Sequence, residues 1–174
     1  MEVYIERTGM SMKSKTFDEL TAREVYEIVR ARQEVFLMEQ RIVCRDFDGV
    51  DYDALHCFME RDGRVCAYLR AYEAEGEVHI GRVLTIPHGE GLGRELMEGA
   101  MPKIREAFGC DEITLHSQIQ AEGFYKKLGF VRVGEVFLEE GIEHVKMNAE
   151  CRMQSAECRM QSAECRRTIH AEGK

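Results

Sequence analysis

Three glycines stand at alternate positions in "HGEGLG" (residues 88–93), between an apolar stretch of strand character and a stretch of helix character. Such a segment is a strand-to-helix turn whose backbone is bare on one side. Gly89, Gly91 and Gly93 let that backbone approach a ligand. The helix that begins near Gly93 aims its free N–H groups and positive dipole end at the same spot, which suits a phosphate group. A tight turn with no ligand satisfies the pattern too.

Two familiar phosphate loops fail on specific residues. A dinucleotide fingerprint needs a third glycine where Arg94 stands, at the first strand–helix junction of a βαβ unit. Here the turn follows an antiparallel meander. A nucleoside-triphosphate loop needs a Lys–Ser/Thr pair after its glycines, and none follows.

The flanking pattern predicts the rest of the architecture. Residues 1–12 form a leader and 13–17 a short strand. "TAREVYEIVRARQEVFLMEQ" (21–40) has helical spacing, with Thr21 and Glu24 as a capping box. "RDFDGVDYDALH" (45–56) is a turn-rich acidic loop, in which Asp46, Asp48 and Asp51 are expected to be solvated. Strands at 57–60, 65–72 and 78–86 are joined by "RDGR" and "EAEGE", both hairpin signals. A helix over 93–109 carries Pro102, where a kink is expected. A strand at 112–118, a short helix at 121–130 closed by Gly129, and a hairpin over 131–148 turning at "EEGI" complete the order. This is an α+β chain with a mixed, mostly antiparallel sheet and helices on both faces. Residues 149–174 are a heptad-repeat tail, "AECRMQS" repeated, read as disordered or as a helical arm.

Composition bounds the function. The chain has 174 residues with 44% hydrophobic and 32% charged, enough for one domain with a real core. A formal charge of −8 argues against nucleic acid or an anionic membrane as the main partner. No apolar run approaches the ~20 residues of a membrane span, and no secretory h-region opens the chain. A cytoplasmic location is the default expectation. The seven cysteines contain no C-x₂-C pair, so a zinc site is not indicated and free thiols are expected.

A second stretch, "QIQAEGFYKKLGF" (118–130), places Phe124 and Tyr125 on the short helix. Taken with "RVLTIPHGEGLGRELM", "RQEVFLMEQ", "DFDGVDYDALH" and "EVFLEEGIEHVKM", it makes the chain resemble the Gcn5-related N-acetyltransferase (GNAT) superfamily, in its ElaA-like branch. The likeness covers about residues 13–148. It implies a GNAT fold with a splayed central strand pair, acetyl-CoA as co-substrate, and a small-molecule or peptide amine as acceptor, in a monomer or homodimer.

The resemblance also assigns residues. The family's pyrophosphate loop, Q/R-x-x-G-x-G/A, falls on His88, Gly91 and Gly93, within a binding segment of Gly89, Glu90, Leu92 and Arg94. His88 replaces the usual Arg or Gln. Val83, Leu84 and Thr85 would run beside the pantetheine arm, and a backbone N–H near Leu84 would polarise the thioester carbonyl. Gln118 and Phe124 would line the arm. Tyr125 matches the tyrosine that protonates the leaving thiolate. Candidates for the base are Glu39, Asp46, Asp48, His56, His79 and His116, of which His116 is the best-placed histidine, and the family often deprotonates through water instead; Arg32, Glu39, Gln40 and His56 are expected to face the acceptor. No metal is implied. Two other functions fit the same residues: a non-catalytic acyl-CoA-binding or sensing domain, and a structural protein assembled through its heptad tail.

Overall fold

Three short turns set the register of the sheet. Asp62–Gly63, Glu75–Gly76 and Glu140–Gly141 each hold two consecutive residues at positive φ, with glycine second. That geometry twists two strands into a tight antiparallel hairpin. The turns join β3 (Leu55–Arg61) to β4 (Arg64–Ala74), β4 to β5 (Glu77–Thr85), and β7 (Val131–Glu139) to β8 (Ile142–Glu150). With β1 (Glu2–Tyr4), β2 (Ser11–Thr16) and β6 (Glu112–Gln118), they form one eight-stranded sheet in the order β1-β2-β3-β4-β5-β6-β8-β7. This computed structural model describes residues 10–150 and the backbone of residues 2–4.

Both ends of the domain extend past the sequence expectation. β1 pairs with β2, so part of the expected leader belongs to the sheet. β8 runs through Ala149 and Glu150, which pair with Ile113 and Glu112. The heptad tail from residue 151 lies outside the described residues.

Only β5 and β6 run parallel, linked by helix α2 (Leu92–Phe108). α2 continues through Pro102 and buries Leu92, Leu96, Met97, Ala100 and Ile104 against one sheet face, in a core that also holds Leu115, Tyr125 and Phe130. On the opposite face, helix α1 (Ala22–Arg32) buries Ile28 and Ala31 against Phe58, Val65, Tyr68 and Leu84. The capping box forms: the Glu24 N–H donates to Thr21 Oγ1 at 3.2 Å, and Thr21 N–H donates to Glu24 Oε2 at 2.9 Å. The single helix expected over 21–40 changes winding, however. Gln33–Glu39 is a π-helix, closed by the Gln40 N–H donating to Val35 O at 2.9 Å. Wider winding of this kind recurs at functional sites, because it re-aims the side chains that follow.

The acidic loop is not a solvated turn. Asp46 accepts from Arg32 Nε at 3.0 Å and from Arg82 Nε at 2.8 Å. Asp51 accepts from Arg32 at 2.8 Å and from Arg70 at 2.9 Å, and Asp48 pairs with Arg70. Arg32 and Arg70 are buried to 1% and 2% exposure, so these carboxylates are their counter-charges. Burial works to raise the Asp48 carboxyl, but the hydrogen bonds and charge of Arg70 outweigh it and hold it at about 2. At Asp51 burial is likewise outweighed, chiefly by the charge of Arg32, and the pKa is again lowered.

Removing one carboxylate tests the network. Asp51→Ala is expected to cost about 3 kcal/mol in urea unfolding, the low end for breaking a buried pair, since Arg32 keeps Asp46 and Arg70 keeps Asp48. Folding lowers the Asp48 and Asp51 pKa values below the ordinary 3.8. Their stabilisation is therefore complete above about pH 4 and is lost as the pH falls from there toward about 2. Urea midpoints measured down this range should fall less steeply for Asp51→Ala than for the unmodified chain.

Candidate functional site

The splay that makes room for a ligand begins in the ladder itself. β5 and β6 pair only at Val78↔Ile113, His79↔Thr114 and Ile80↔Leu115. On the other edge of β5 the register with β4 shifts: Arg70 faces Gly81 and Tyr68 faces Leu84. Leu69 alone therefore opposes Arg82 and Val83, a β-bulge with Arg82 at φ +55°. A bulge bends its strand and strengthens its twist. β5 swings away from β6, and a cleft of about 640 Å³ opens between them. That volume suits a bound organic ligand.

At one end of the cleft lies the glycine turn. Gly89 and Gly91 both have φ +84°, and a Cβ built on either would meet nothing within 4 Å. Gly91 caps α2 without a side-chain hydrogen bond, and its carbonyl accepts from the N–H groups of Arg94 and Glu95. The N–H groups of Leu92 and Gly93, in the first turn, precede the first intrahelical bonds. Gly93 is bare for another reason: a Cβ there would sit 3.3 Å from Phe124 Cζ and 3.5 Å from Thr85 Cγ2. Two of the glycines leave backbone open, and the third lets α3 pack on α2.

The other loop residues take distinct positions. The Leu92 side chain is buried in the α2 core, so only its backbone serves the cleft. Glu90, expected at the ligand, instead pairs with Arg61 at 2.9 Å and does not line the cleft. Arg94 lines it, with Nε on Glu98 at 2.7 Å. His88 bridges two elements: Nε2 meets Glu39 Oε1 of the π-helix at 2.8 Å, and Nδ1 meets Thr85 Oγ1 at 3.3 Å. Glu39 is thereby held at the glycine-loop end.

Val83, Leu84 and Thr85 border the gap. Ile86 N–H donates to Cys66 O of β4 at 2.7 Å, and the register continues through Ala67↔Thr85 and Tyr68↔Leu84. Antiparallel alternation then turns the Leu84 amide toward β4 and the Thr85 amide toward the gap. The gap-facing amide nearest Leu84 is therefore that of Thr85. The Leu84 side chain is also buried, on the α1 side.

Across the gap, Gln118 donates from Nε2 to Gln40 Oε1 at 3.1 Å, tying the end of the π-helix to β6. Tyr125, on α3 (Glu122–Lys126), packs edge-on against Phe124 and Phe130, with ring centroids 5.0 Å and 5.8 Å away. It lines the cleft, and burial pushes its phenol pKa well above the ordinary value. Among the described residues its hydroxyl has no hydrogen-bond partner.

The far wall is a row of rings drawn from several strands. Tyr72 stacks on His79 at 5.6 Å, His79 meets His116 edge-on at 6.2 Å, and His116 meets Phe137 edge-on at 4.9 Å. Glu139 and His144 also line the cleft. Three expected acceptor contacts, Arg32, Glu39 and His56, are absent from its lining, and Glu39 is the one taken up by His88. Arg32 is locked to Asp46 and Asp51. His56 is 2% exposed, with Nε2 donating to Asp51 O and Nδ1 accepting from Tyr68 O–H, each at 2.9 Å. Both are taken up by structural bonds and have no open face for an acceptor. Sequence reasoning missed Glu139 and Tyr72, which become neighbours of His116 and His79 only once strands distant in sequence pair.

The family model of the acetyltransferase (GNAT) domain matches residues 19–151. The chain belongs to the GNAT family. Within it the relatives are ElaA-like. A UPF0039 protein of Schizosaccharomyces pombe is 33% identical over 141 residues, covering 78% of this chain and 94% of that protein. The crystal structure of Escherichia coli ElaA superposes with a TM-score of 0.75 at 28% identity, covering 81% of this chain and 99% of that one. An acyl-CoA N-acyltransferase from Pseudomonas aeruginosa gives a TM-score of 0.74 at 36% identity, covering 79% and 98%. The GNAT fold expected from the sequence, with its splayed strand pair, is thus shown. No helix among the described residues is long and apolar enough to cross a membrane.

The division of labour among the glycines is testable without a ligand. Gly91→Ala places a Cβ in open space but at a left-handed φ, and should cost about 1 kcal/mol of stability from that strain alone. Gly93→Ala has no such strain and should act instead through Phe124, lowering the melting temperature and shifting the ring resonances of Phe124 and Tyr125 in NMR spectra.

Proposed function

We propose that this GNAT domain is an acetyl-CoA-dependent N-acetyltransferase, transferring acetyl from the coenzyme thioester to a primary amine. The observation that carries this reading is a single cleft, opened by the β5 bulge, that joins a bare glycine turn at a helix N-terminus to an unpartnered buried phenol. The residues fit the coenzyme in three places. The backbone at Gly89–Gly93 and the N-terminus of α2 suit a pyrophosphate, because amide N–H groups and the helix dipole converge there without side chains over them. The freed edge at Val83–Thr85 suits an extended pantetheine arm, which would add to the strand through amide hydrogen bonds. Tyr125 suits the sulfur end.

When bound, the coenzyme supplies an acyl carbon activated as a thioester. The chain's part is chiefly to hold that carbon and an amine together in the gap. A gap-facing amide of the Val83–Thr85 edge would donate to the thioester oxygen as charge builds on it. Tyr125 holds its proton firmly because burial disfavours phenolate, so it is protonated at neutral pH and able to give that proton to a leaving thiolate. The four described cysteines are free thiols, and of these Cys44 alone lines the cleft. Direct attack by the amine requires no thiol nucleophile.

Tyr125→Phe separates binding from chemistry. We expect acetyl-CoA to bind the variant within about twofold of the parent, while CoA release with a primary-amine panel slows about 100-fold, the lower range for loss of a general acid. Thermal shift against acetyl-CoA concentration reads the first and a thiol assay the second. Tight binding with no turnover on any amine in the parent chain would instead mark a non-catalytic acyl-CoA-binding domain.

A further inference from the structure

We propose that His116 and Glu139 form the acceptor-side base of this domain, in which the Glu139 carboxylate fixes the imidazole so that Nε2 takes a proton from the incoming ammonium group. The proposal rests on the acyl-transfer function above and assigns its missing partner.

Placement comes first. The parallel ladder ends at Ile80↔Leu115, and His116 is the next residue on β6, the first one past the split. Leu115 belongs to the α2-side core together with Tyr125. Strand alternation puts His116 on the opposite face. Both His116 and Tyr125 line the cleft, so the phenol and the imidazole flank the gap from its two sides.

The hydrogen bonds fix the tautomer. His116 Nδ1 lies 2.9 Å from Glu139 Oε2. A carboxylate can only accept, so Nδ1 carries the hydrogen and Nε2 keeps its lone pair. Among the described residues Nε2 has no hydrogen-bond partner. Phe137 on β7 and His79 on β5 meet the ring edge-on at 4.9 Å and 6.2 Å and limit its rotation. Glu139 is the last residue of β7, carried to β6 by the β7–β8 hairpin. The hydrogen bond from His116 is the main influence that keeps its carboxyl low.

The other charges facing this pair are already committed. Lys146, the cross-strand partner of His116, bonds Glu77 at 2.8 and 2.9 Å. Arg82 is held by Asp46 at 2.8 Å. His79 lies 3.8 Å from Glu77, and His144 places Nδ1 against Ile142 O at 2.9 Å. Tyr72 stacks beyond His79, and Glu140 lines the cleft beside Glu139. The carboxylate in direct contact with His116 is therefore Glu139.

The proton balance closes. An ammonium acceptor gives one proton to His116 Nε2 and becomes a free amine. Its nitrogen forms the new C–N bond to the acyl carbon as the C–S bond breaks and the electron pair goes to sulfur. Tyr125 gives its proton to that sulfur, and the phenolate left behind is reprotonated by the second proton that the nitrogen loses on becoming an amide. His116 returns its proton to water. The class of acceptor follows: a primary amine met in its ammonium form, beside a wall with Glu139 and Glu140 at its edge.

The experiment measures kcat/KM for CoA release with a primary-amine panel from about pH 5.5 to 9.5, together with acetyl-CoA binding and melting temperature. The parent should gain activity with rising pH along one limb. His116→Gln should lose about 100-fold at neutral pH and lose the limb, while acetyl-CoA binding holds. Glu139→Gln keeps the imidazole but removes the carboxylate that fixes it, so kcat/KM at neutral pH should fall about tenfold while acetyl-CoA binding and melting temperature hold. Glu139 is half exposed, which leaves this second variant informative if His116→Gln melts early. An unchanged kcat/KM in folded, acetyl-CoA-binding Glu139→Gln would overturn the pair while leaving acyl transfer standing. No acetyl-CoA binding or no turnover in the parent would overturn acyl transfer and the pair together.

Discussion

A single extra residue in β5 governs what this fold can do. Opposing Leu69 with both Arg82 and Val83 puts an arginine at positive φ, a backbone state that costs about 1 kcal/mol or more for a residue with a side chain. The bulge turns β5 out of line with β6 after three paired residues. Without it the parallel ladder would continue, the gap-facing amides would be spent on β6, and Tyr125 would pack against a closed sheet. The cleft is thus an interruption of hydrogen bonding held open at a defined place.

The strain is contained by charge. Arg82 Nε is bound by Asp46, whose other oxygen accepts from Arg32 on α1. The acidic loop therefore ties α1, the bulge and the floor of β4 into one unit. Arginine suits this task where lysine would not, since its planar fork can engage two carboxylates at once, as Arg70 does with Asp48 and Asp51. Because the contacts are shared, removing one carboxylate weakens the pairing of a buried arginine without stripping it of every counter-charge.

Much of this was legible in the residues, and the limits have physical causes. The x-Gly turns, the Thr21–Glu24 box and the Gly89–Gly91 turn are local patterns, and local patterns survive the step from sequence to structure. The resemblance to GNAT proteins added the splay. What sequence could not show depends on pairing between distant segments. Glu139 reaches His116 only through the β6–β8–β7 order, and Asp46 looks like a solvated turn residue until Arg32 and Arg82 are placed beside it. The π winding at Gln33–Glu39 interrupts a run whose apolar spacing reads as ordinary helix. Gly93 reads as a ligand-facing glycine although its neighbour is Phe124.

The π-helix spans the mouth of the cleft. Its wider turn ends with Glu39 against His88 and Gln40 against Gln118, so one short segment touches the glycine turn and β6 across the mouth of the cleft. An ordinary α-helical continuation would rotate these two residues about the helix axis and break both contacts. The cleft is therefore bounded by two departures from regular geometry, one in a strand and one in a helix, joined through the same acidic loop and Arg32 at the end of α1. A site built this way resists closure because each irregularity is held by hydrogen bonds to the other's neighbours, and relaxing either one would cost the contacts of both.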